Sequence, residues 1–275
     1  MTRDEQWLLD EKYGGKETKE FETDKKRLVS GEPLGYVIGW QPFLNLKIYL
    51  DSKPLIPRPE TEWWVEQLLL SLTHVPQKSV EERAERDDAS QSKFPAGNYA
   101  APKTTSAVRA LRFLDLCAGS GAIGCAALAK LPNAHIYFGE IDQAHETTIL
   151  KNIRENNLDE SRAHICIGDL FEPFGDMQFD IIAINPPYIP TDRALPESVA
   201  LYEPEQALRS GADGLDLIRR IAEKLANHLA ENGQAWIECD SAHAAAACAL
   251  FQAQNFSAEI RTDQYGQPRI IDVQK

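Results

Sequence analysis

The sequence predicts an α/β fold with a doubly wound, seven-stranded sheet whose last strand runs antiparallel. From residue 110 onward, seven short apolar runs alternate with helical stretches, and strands joined by helical crossovers pair in parallel. The first run ends in a glycine-rich turn, the feature that follows the first strand of many ligand-binding α/β folds. Only a polar turn at residues 263–266 separates the last two runs, which favours an antiparallel pair.

Residues 1–59 are expected to form a small region of one or two helices and a β-hairpin. Apolar residues at positions 7–9 indicate a short helix, and a charged stretch follows them. In residues 31–57, apolar and aromatic residues alternate around Gly and Pro, as in a β-hairpin.

Residues 60–109 are expected to connect this region to the sheet. Helical spacing of apolar residues predicts a helix over residues 60–74, with Thr61 as its candidate N-cap. Residues 76–107 are polar, rich in Pro, Ala and Ser, and without apolar periodicity. Such a composition is typical of a mobile insertion, from which we expect no function.

Residues 110–275 are expected to contain the sheet and the functional site. The predicted strands are residues 112–117, 135–141, 164–167, 179–184, 234–238, 256–260 and 269–273. The predicted helices are residues 122–131, 144–157, 214–230 and 242–254. Ligands of such sheets bind beyond the carboxyl ends of the strands, where the strand order reverses, so the residues that follow each strand are candidates.

The composition excludes several classes of protein. The sequence contains 29 Lys and Arg residues and 42 Asp and Glu residues. The resulting formal charge of −13 repels nucleic acid and anionic membranes. The five cysteines include no C-x-x-C pair, which favours reduced thiols over a metal site. The chain has neither a signal-peptide pattern nor an apolar run long enough to span a membrane. We therefore expect a cytoplasmic protein without a direct nucleic-acid or membrane partner.

The glycine-rich turn and two carboxylates predict a nucleoside cofactor that carries an amino acid. Gly119 and Gly121 allow a tight turn in front of a helix N-terminus. Asp115 would repel a pyrophosphate but could accept a hydrogen bond from a cationic amino group. Glu140, at the end of the second strand, could bind both hydroxyls of a ribose. This combination indicates S-adenosylmethionine rather than a dinucleotide, and a merely solvated strand end is the alternative for Glu140.

The turn after the third strand offers contacts for an adenine ring. Asp169 is expected to accept a hydrogen bond from the exocyclic amine, and Leu170 is expected to pack on the ring. A Gly-Asp turn is also ordinary loop chemistry, which remains the alternative.

The fourth strand ends in the loop Asn185-Pro-Pro-Tyr188. Pro186 and Pro187 end the strand and stiffen the loop, although a plain turn would have the same effect. Beside a sulfonium, the Asn185 side-chain oxygen and the Pro186 carbonyl could each accept one N–H of a planar NH2 group. The nitrogen lone pair would then point at the methyl group. Pro187 leaves no competing amide donor, and Tyr188 offers a face for stacking.

The Asn-Pro-Pro-Tyr loop by itself occurs across methyltransferases that act on adenine, guanine or glutamine NH2 groups, so it leaves the acceptor open. Four further segments narrow the choice of acceptor. They are GEPLGYVIG at residues 31–39, PRPETE at 57–62, GDLFEP at 168–173 and YEPEQALRSGADGLD at 202–216. With these segments, the chain resembles the peptide chain release factor N5-glutamine methyltransferases from about residue 31 to its end. The resemblance implies a Rossmann-like methyltransferase sheet, S-adenosylmethionine as cofactor and a release factor as protein substrate.

The resemblance also implies roles for individual residues. It assigns the cofactor pocket to Cys117, Ala118, Gly119, Ser120, Gly121, Glu140 and Leu170. It implies that four residues hold the glutamine side chain of the release factor's Gly-Gly-Gln motif, namely Asn185, Pro186, Pro187 and Tyr188. Arg58 and Glu60 would shape the mouth of the site. Residues 1–59 would recognise the substrate as a reduced form of the family's helical N-terminal domain. Independently of the resemblance, we expect a monomer.

Two positions depart from the family pattern. The acid after the second strand is usually Asp, whereas Glu140 is one methylene longer. Residues 238–243 read ECDSAH where the family tends to have Gly and Gln after the glutamate, and we interpret His243 as a polar helix-start residue rather than a catalytic base.

Three rival functions remain open at the level of sequence. A nucleic-acid methyltransferase could use the same loop, but it would need a basic face or a base-recognition module. The enzyme that methylates a ribosomal-protein glutamine is related, but it carries a different sequence in place of PRPETE. A silent scaffold on the same fold is hard to reconcile with Asp115, Glu140 and Asn185 in register.

Overall fold

The computed structural model describes residues 1–73 and 109–275 and contains all seven predicted strands of the main sheet. The predicted insertion at residues 76–107 lies outside the described residues. In chain order the strands are β1 (Trp40–Phe43), β2 (Leu46–Tyr49), β3 (Arg112–Leu116), β4 (His135–Glu140), β5 (Ala163–Ile167), β6 (Phe179–Ile184), β7 (Leu229–Glu238), β8 (Ser257–Thr262) and β9 (Pro268–Gln274).

The main sheet has the strand order β5-β4-β3-β6-β7-β9-β8. Strands β3 to β7 pair in parallel, and β9 pairs antiparallel with both β7 and β8. The predicted doubly wound sheet with an antiparallel last strand is therefore confirmed. The strand order reverses between β3 and β6, so the carboxyl ends of these strands and of β4 border one crevice.

Helices cover both faces of the sheet, as a parallel sheet requires. They are α1 (Arg3–Tyr13), α2 (Lys19–Val29), α3 (Leu34–Ile38), α4 (Pro59–Thr73), α5 (Ala122–Lys130), α6 (Glu146–Glu155), α7 (Glu197–Tyr202), α8 (Asp216–His228) and α9 (Ala244–Gln252). One apolar core lies between the sheet and α4, α5 and α6, and a second lies between the sheet and α8 and α9. No helix in residues 1–73 or 109–275 combines the length and hydropathy that a membrane span requires.

The N-terminal region contains two capped helices ahead of the hairpin. The Thr2 side chain accepts from the Glu5 backbone N–H while the Glu5 carboxylate accepts from Thr2, which forms a capping box at α1. The Thr18 side chain caps α2 by accepting from the Phe21 N–H. Leu8 of α1 and Phe21 of α2 are fully buried against each other's helices, which holds this small region together.

Two local predictions in this region are wrong in detail. Residues 34–38 form helix α3 rather than part of the hairpin, because Pro33 sets the start and Gly39, with a φ of 99°, ends it. Helix α4 begins at Pro59, a residue suited to a first helical turn, so Thr61 lies inside the helix instead of capping it.

The hairpin is fixed to the sheet domain by Asn152 of α6. The Asn152 side chain accepts from the Tyr49 N–H at 2.7 Å and donates to the Tyr49 carbonyl at 3.1 Å, as a neighbouring strand would. Its Nδ2 also donates to the Ser120 carbonyl at 2.8 Å. One buried amide thus joins the edge strand β2 to the glycine-rich turn that follows β3.

Candidate active site

A cavity of about 350 Å³ lies beyond the carboxyl ends of β3, β4, β5 and β6. Of the residues predicted to bind the cofactor or the acceptor, the structure brings together in its wall Cys117, Gly119, Glu140, Asp169, Leu170, Asn185 and Pro187. Four predicted cofactor residues are not part of this wall, namely Asp115, Ala118, Ser120 and Gly121. All four are buried in or under the turn that borders the cavity.

The turn after β3 requires small residues and left-handed backbone conformations. Cys117, Gly119 and Gly121 have φ angles of 64°, 54° and 75°. The Cys117 and Ala118 N–H groups both donate to the Gly139 carbonyl on β4, at 2.9 and 3.1 Å. These bonds fold the turn back over β4 and bring Gly119 to the cavity wall.

Asp115 lies beneath this turn and caps helix α5. Its Oδ2 accepts from the Gly124 N–H at 2.8 Å, which supplies the cap that Gly121, lacking a side chain, cannot provide. Its Oδ1 is buried without a hydrogen-bond partner among the described residues. Burial raises the pKa of the Asp115 carboxyl well above its usual range, and the charge of Glu140 adds to the rise. A direct contact between Asp115 and a cofactor remains a prediction.

Glu140 binds the turn and faces the cavity. Its Oε2 accepts from the Gly119 N–H at 2.7 Å, and its Oε1 accepts from the Asp142 N–H at 2.9 Å. Each carboxylate oxygen keeps a second acceptor position. The side chain is therefore fixed at both oxygens and can still accept two hydrogen bonds from a ligand, as the two hydroxyls of a ribose would need.

Asp169 forms an ion pair that sequence reasoning missed. Arg220 of α8 donates to Asp169 Oδ2 at 2.5 Å, and both residues line the cavity. Asp169 Oδ1 carries no bond from Arg220, so one oxygen remains available to a ligand amine. No local motif around Arg220 indicates this pair, because helix α8 meets the loop after β5 only in the folded chain.

Ile141 and His145 also line the cavity and were absent from the sequence-based candidates. Ile141 directly follows Glu140 and is 62% exposed, which is high for an isoleucine beside a buried strand. An aromatic ring in the cavity could cover it. Its position next to the strand-end acid was the signal that could have identified it.

A second cavity, of about 190 Å³, lies on the other side of Asn185. Its wall includes the predicted acceptor residues Pro186 and Tyr188, the predicted mouth residue Arg58, and apolar residues of the segment 195–199. Three residues line both cavities, namely Leu55, Asn185 and Ala207. Asn185 therefore lies where the two cavities meet.

Hydrogen bonds fix the loop that carries Asn185 against helix α4 and strand β7. Asn185 Nδ2 donates to Thr61 Oγ1 at 3.1 Å, and the Thr61 hydroxyl donates to Glu238 Oε2 at 2.7 Å. The Tyr188 hydroxyl donates to Glu238 Oε1 at 2.9 Å. Burial, together with the neighbouring charge of Glu238, raises the pKa of the Tyr188 hydroxyl well above its ordinary value, which keeps it a donor.

Arg58 joins two of the sequence segments that carry the family resemblance. Its Nη2 forms an ion pair of 2.6 Å with Glu203, whose side chain is 1% exposed. Glu203 also accepts from the Ile56 N–H at 3.3 Å. The PRPETE segment is thus held to the segment 202–216 beside the second cavity. Glu60, the other predicted mouth residue, is half-buried and is not among the residues that line either cavity.

His243 is the N-cap residue of α9, which confirms its interpretation as a helix-start residue. Burial lowers the pKa of its imidazole. It is not among the residues that line the two cavities.

Known proteins similar to this chain are methyltransferases. A family model described as "Methyltransferase small domain" matches residues 101–200. The release factor glutamine methyltransferase of Lactococcus lactis is 31% identical over 271 residues, which are 97% of this chain and 86% of that protein. The protein of the same name from Thermodesulfovibrio yellowstonii is 32% identical over 91% of this chain and 79% of its own length.

Two further similarities are more limited. A ribosomal protein uL3 glutamine methyltransferase from Bradyrhizobium diazoefficiens is 30% identical over 76% of this chain, but this covers only 57% of that protein. Among solved structures, a methyltransferase from Pyrococcus furiosus covers 72% of this chain and 98% of its own, with 15% identity and a TM-score of 0.44.

Proposed function

This chain belongs to the release factor glutamine methyltransferases, and we propose that it methylates the Gly-Gly-Gln glutamine of a peptide chain release factor. The methyl group comes from S-adenosylmethionine, and the acceptor is the side-chain amide nitrogen N5. The observation that carries this proposal is the position of Asn185, which lies at the junction of two cavities. One cavity suits the cofactor and the other suits a glutamine side chain.

The residues of the larger cavity fit S-adenosylmethionine. Glu140 offers two fixed acceptor oxygens to a ribose diol. The described residues of the cavity wall include no cluster of unpaired basic side chains that would select a diphosphate. Both guanidinium groups of the described wall are bound by the protein itself: Arg220 pairs with Asp169, and Arg209 donates to the Pro190 and Thr191 carbonyls. Ile141 and Leu170 provide apolar surface for the adenine ring. When bound, the cofactor supplies a methyl group from a sulfonium, and the amide nitrogen that accepts it loses one proton to water.

The residues of the smaller cavity hold and orient the acceptor. The lone pair of an amide nitrogen is delocalised, so the nitrogen attacks only if it is held with the lone pair directed at the methyl carbon. We assign this task to two acceptors, the Asn185 Oδ1 and the Pro186 carbonyl, each taking one N–H of the glutamine. Tyr188 forms a wall of the same cavity and Pro187 offers no N–H that could compete. No strong base is needed, because a methylated amide nitrogen is acidic enough to release its proton to water.

The remaining assignments concern the surroundings of the site. Arg58, through its ion pair with the buried Glu203, holds the wall of the acceptor cavity. We propose that residues 1–59, with their helices and hairpin, recognise the release factor, and that the enzyme acts as a cytoplasmic monomer. The two acceptor alternatives, a nucleic-acid base and a ribosomal-protein glutamine, are not favoured by the two release factor methyltransferases that match 97% and 91% of this chain. The formal charge of −13 also opposes nucleic-acid binding.

The proposal is tested by methyl transfer to matched acceptors. The protein is incubated with S-adenosylmethionine labelled in its methyl group and with a release factor, with the same factor carrying Gln→Ala in Gly-Gly-Gln, and with DNA. We expect label in the unchanged factor alone. Equal labelling of the factor without this glutamine, or labelling of DNA only, would show that the acceptor is a different group.

A further inference from the structure

We propose that Thr61 and Glu238 are positioning residues that fix which end of the Asn185 side-chain amide faces the acceptor. This inference rests on the proposed function, because it concerns how the acceptor-binding loop Asn185-Pro-Pro-Tyr188 is oriented. It is carried by a chain of hydrogen bonds that runs from the buried end of β7, through the first turn of α4, to the loop after β6.

Glu238 is the fixed end of this chain. Its carboxylate is 1% exposed and receives three donors from two different segments. Oε2 accepts from the Thr61 hydroxyl and from Trp64 Nε1, both at 2.7 Å, and Oε1 accepts from the Tyr188 hydroxyl at 2.9 Å. Burying a carboxylate costs folding free energy unless hydrogen bonds compensate for the lost water, and these three donors provide that compensation.

The carboxylate determines the direction of every bond that follows. Burial raises the pKa of the Glu238 carboxyl, and the bonds from Trp64, Thr61 and Tyr188 oppose that rise by stabilising the ionised form. A carboxylate with these donors can only accept, so the Thr61 hydroxyl gives it its single proton. Thr61 Oγ1 then has only lone pairs left for its other neighbour, Asn185. The group of Asn185 that meets Thr61 must therefore be a donor, which is its NH2.

This direction settles the orientation of the Asn185 amide. If Asn185 were turned by 180° about its last side-chain bond, its oxygen would meet the lone pairs of Thr61 Oγ1. With the NH2 held at 3.1 Å from Thr61, Oδ1 is left as the free acceptor at the junction of the two cavities. An acceptor oxygen there can take an N–H of the substrate glutamine, whereas an NH2 there would repel it.

The same carboxylate holds the other end of the loop. Because Tyr188 also donates to Glu238, both side chains that flank Pro186 and Pro187 are connected to one anchor. Trp64 adds a donor that cannot reverse its direction, since an indole N–H has no lone pair to offer. Oε2 therefore accepts from Trp64, and as a carboxylate oxygen it also accepts from the Thr61 hydroxyl.

The test compares two substitutions at Thr61 that differ in one hydroxyl. Thr61→Val keeps the shape of the side chain and removes the hydroxyl, whereas Thr61→Ser keeps the hydroxyl and removes a methyl group. With a release factor as acceptor, we expect kcat to fall at least about tenfold in Thr61→Val and to stay within about twofold of the unchanged protein in Thr61→Ser. The dissociation constant for S-adenosylmethionine should be unchanged in both, because Thr61 lines neither cavity.

A merely structural role would lower the melting temperature of Thr61→Val without changing kcat at temperatures where it is folded. Unchanged kcat in Thr61→Val, or an equal loss in both variants, would therefore overturn the proposal. If the unchanged protein fails to methylate any release factor, the proposed function fails by itself, and a second readout still tests the orientation.

That readout is the side-chain amide signal of Asn185 in the ¹⁵N-labelled protein, identified by its absence in Asn185→Ala. We expect exchange with water that is slow in the unchanged protein and in Thr61→Ser. If Thr61→Val folds, the exchange should become faster there by at least about tenfold. Exchange in the unchanged protein at the rate of a solvent-exposed amide would contradict the bond to Thr61.

Discussion

Replacement of Asn185 by Ala should reduce methyl transfer by about 100-fold while the cofactor still binds. The substitution removes Oδ1, which we assign as one of two acceptors for the N–H groups of the substrate glutamine. During transfer the glutamine nitrogen gains positive charge, so this hydrogen bond is charge-assisted and contributes about 2–3 kcal/mol. Since 1.4 kcal/mol corresponds to a factor of ten, the loss amounts to roughly 30- to 150-fold in rate.

Cofactor affinity should change far less, because the Glu140 carboxylate, Ile141 and Leu170 keep their places in the cavity wall. We expect the dissociation constant for S-adenosylmethionine, measured by calorimetry, to stay within about threefold. The matched control is Asn227→Ala, the same truncation at an exposed residue of α8 that belongs to neither cavity.

The assay is single-turnover transfer of labelled methyl groups to a release factor at saturating cofactor. A variant that turns over at the rate of the unchanged protein would refute the acceptor-orienting role of this loop. A large loss of cofactor affinity with normal turnover at saturation would instead assign Asn185 to the cofactor alone.

Substitutions at Glu140, Gly124 and Arg27 test other parts of the structure. Glu140→Ala should raise the dissociation constant for S-adenosylmethionine at least about tenfold by calorimetry, with Glu140→Asp intermediate; unchanged binding with a slower saturated rate would oppose the ribose assignment. Gly124→Ala should lower the free energy of unfolding by about 1–3 kcal/mol, because its Cβ would lie 2.2 Å from the Phe138 ring, and an unchanged denaturation midpoint would mean that the ring yields freely. Arg27 holds the pKa of Glu32 below its ordinary value, a contribution to stability that is present above about pH 4.5 and lost as pH falls through the lowered pKa. Arg27→Met should therefore destabilise more at pH 7 than at about pH 3, and equal losses at both would contradict this.

The sheet and the position of the site could be predicted because their signals are local. Each strand is a short apolar run, and the residues that follow a parallel strand necessarily meet those that follow its neighbours. Glu140 and the loop that begins at Asn185 were therefore placed at one edge from the sequence alone, and the structure brings them to the wall of one cavity.

The hydrogen-bond partners could not be predicted, because they are distant in sequence. Thr61 and Glu238 are 177 residues apart, and Asn185 lies 124 residues from Thr61. No periodicity or turn signal links such positions, and only the packing of α4 against β6 and β7 brings them into contact. The capping role of Asp115 could not be predicted for a related reason, since the sequence does not reveal that Asp115 accepts from the Gly124 N–H at the start of α5.

Fragment-ion mass spectrometry of a release factor identifies the methylated residue itself. The factor is incubated with S-adenosylmethionine and with this protein or its Asn185→Ala variant, and every methyl group is then located. We expect one added methyl group on the side-chain amide of the Gly-Gly-Gln glutamine, formed far more slowly by the variant. A methyl group on any other residue, or equal methylation by both proteins, would contradict this expectation.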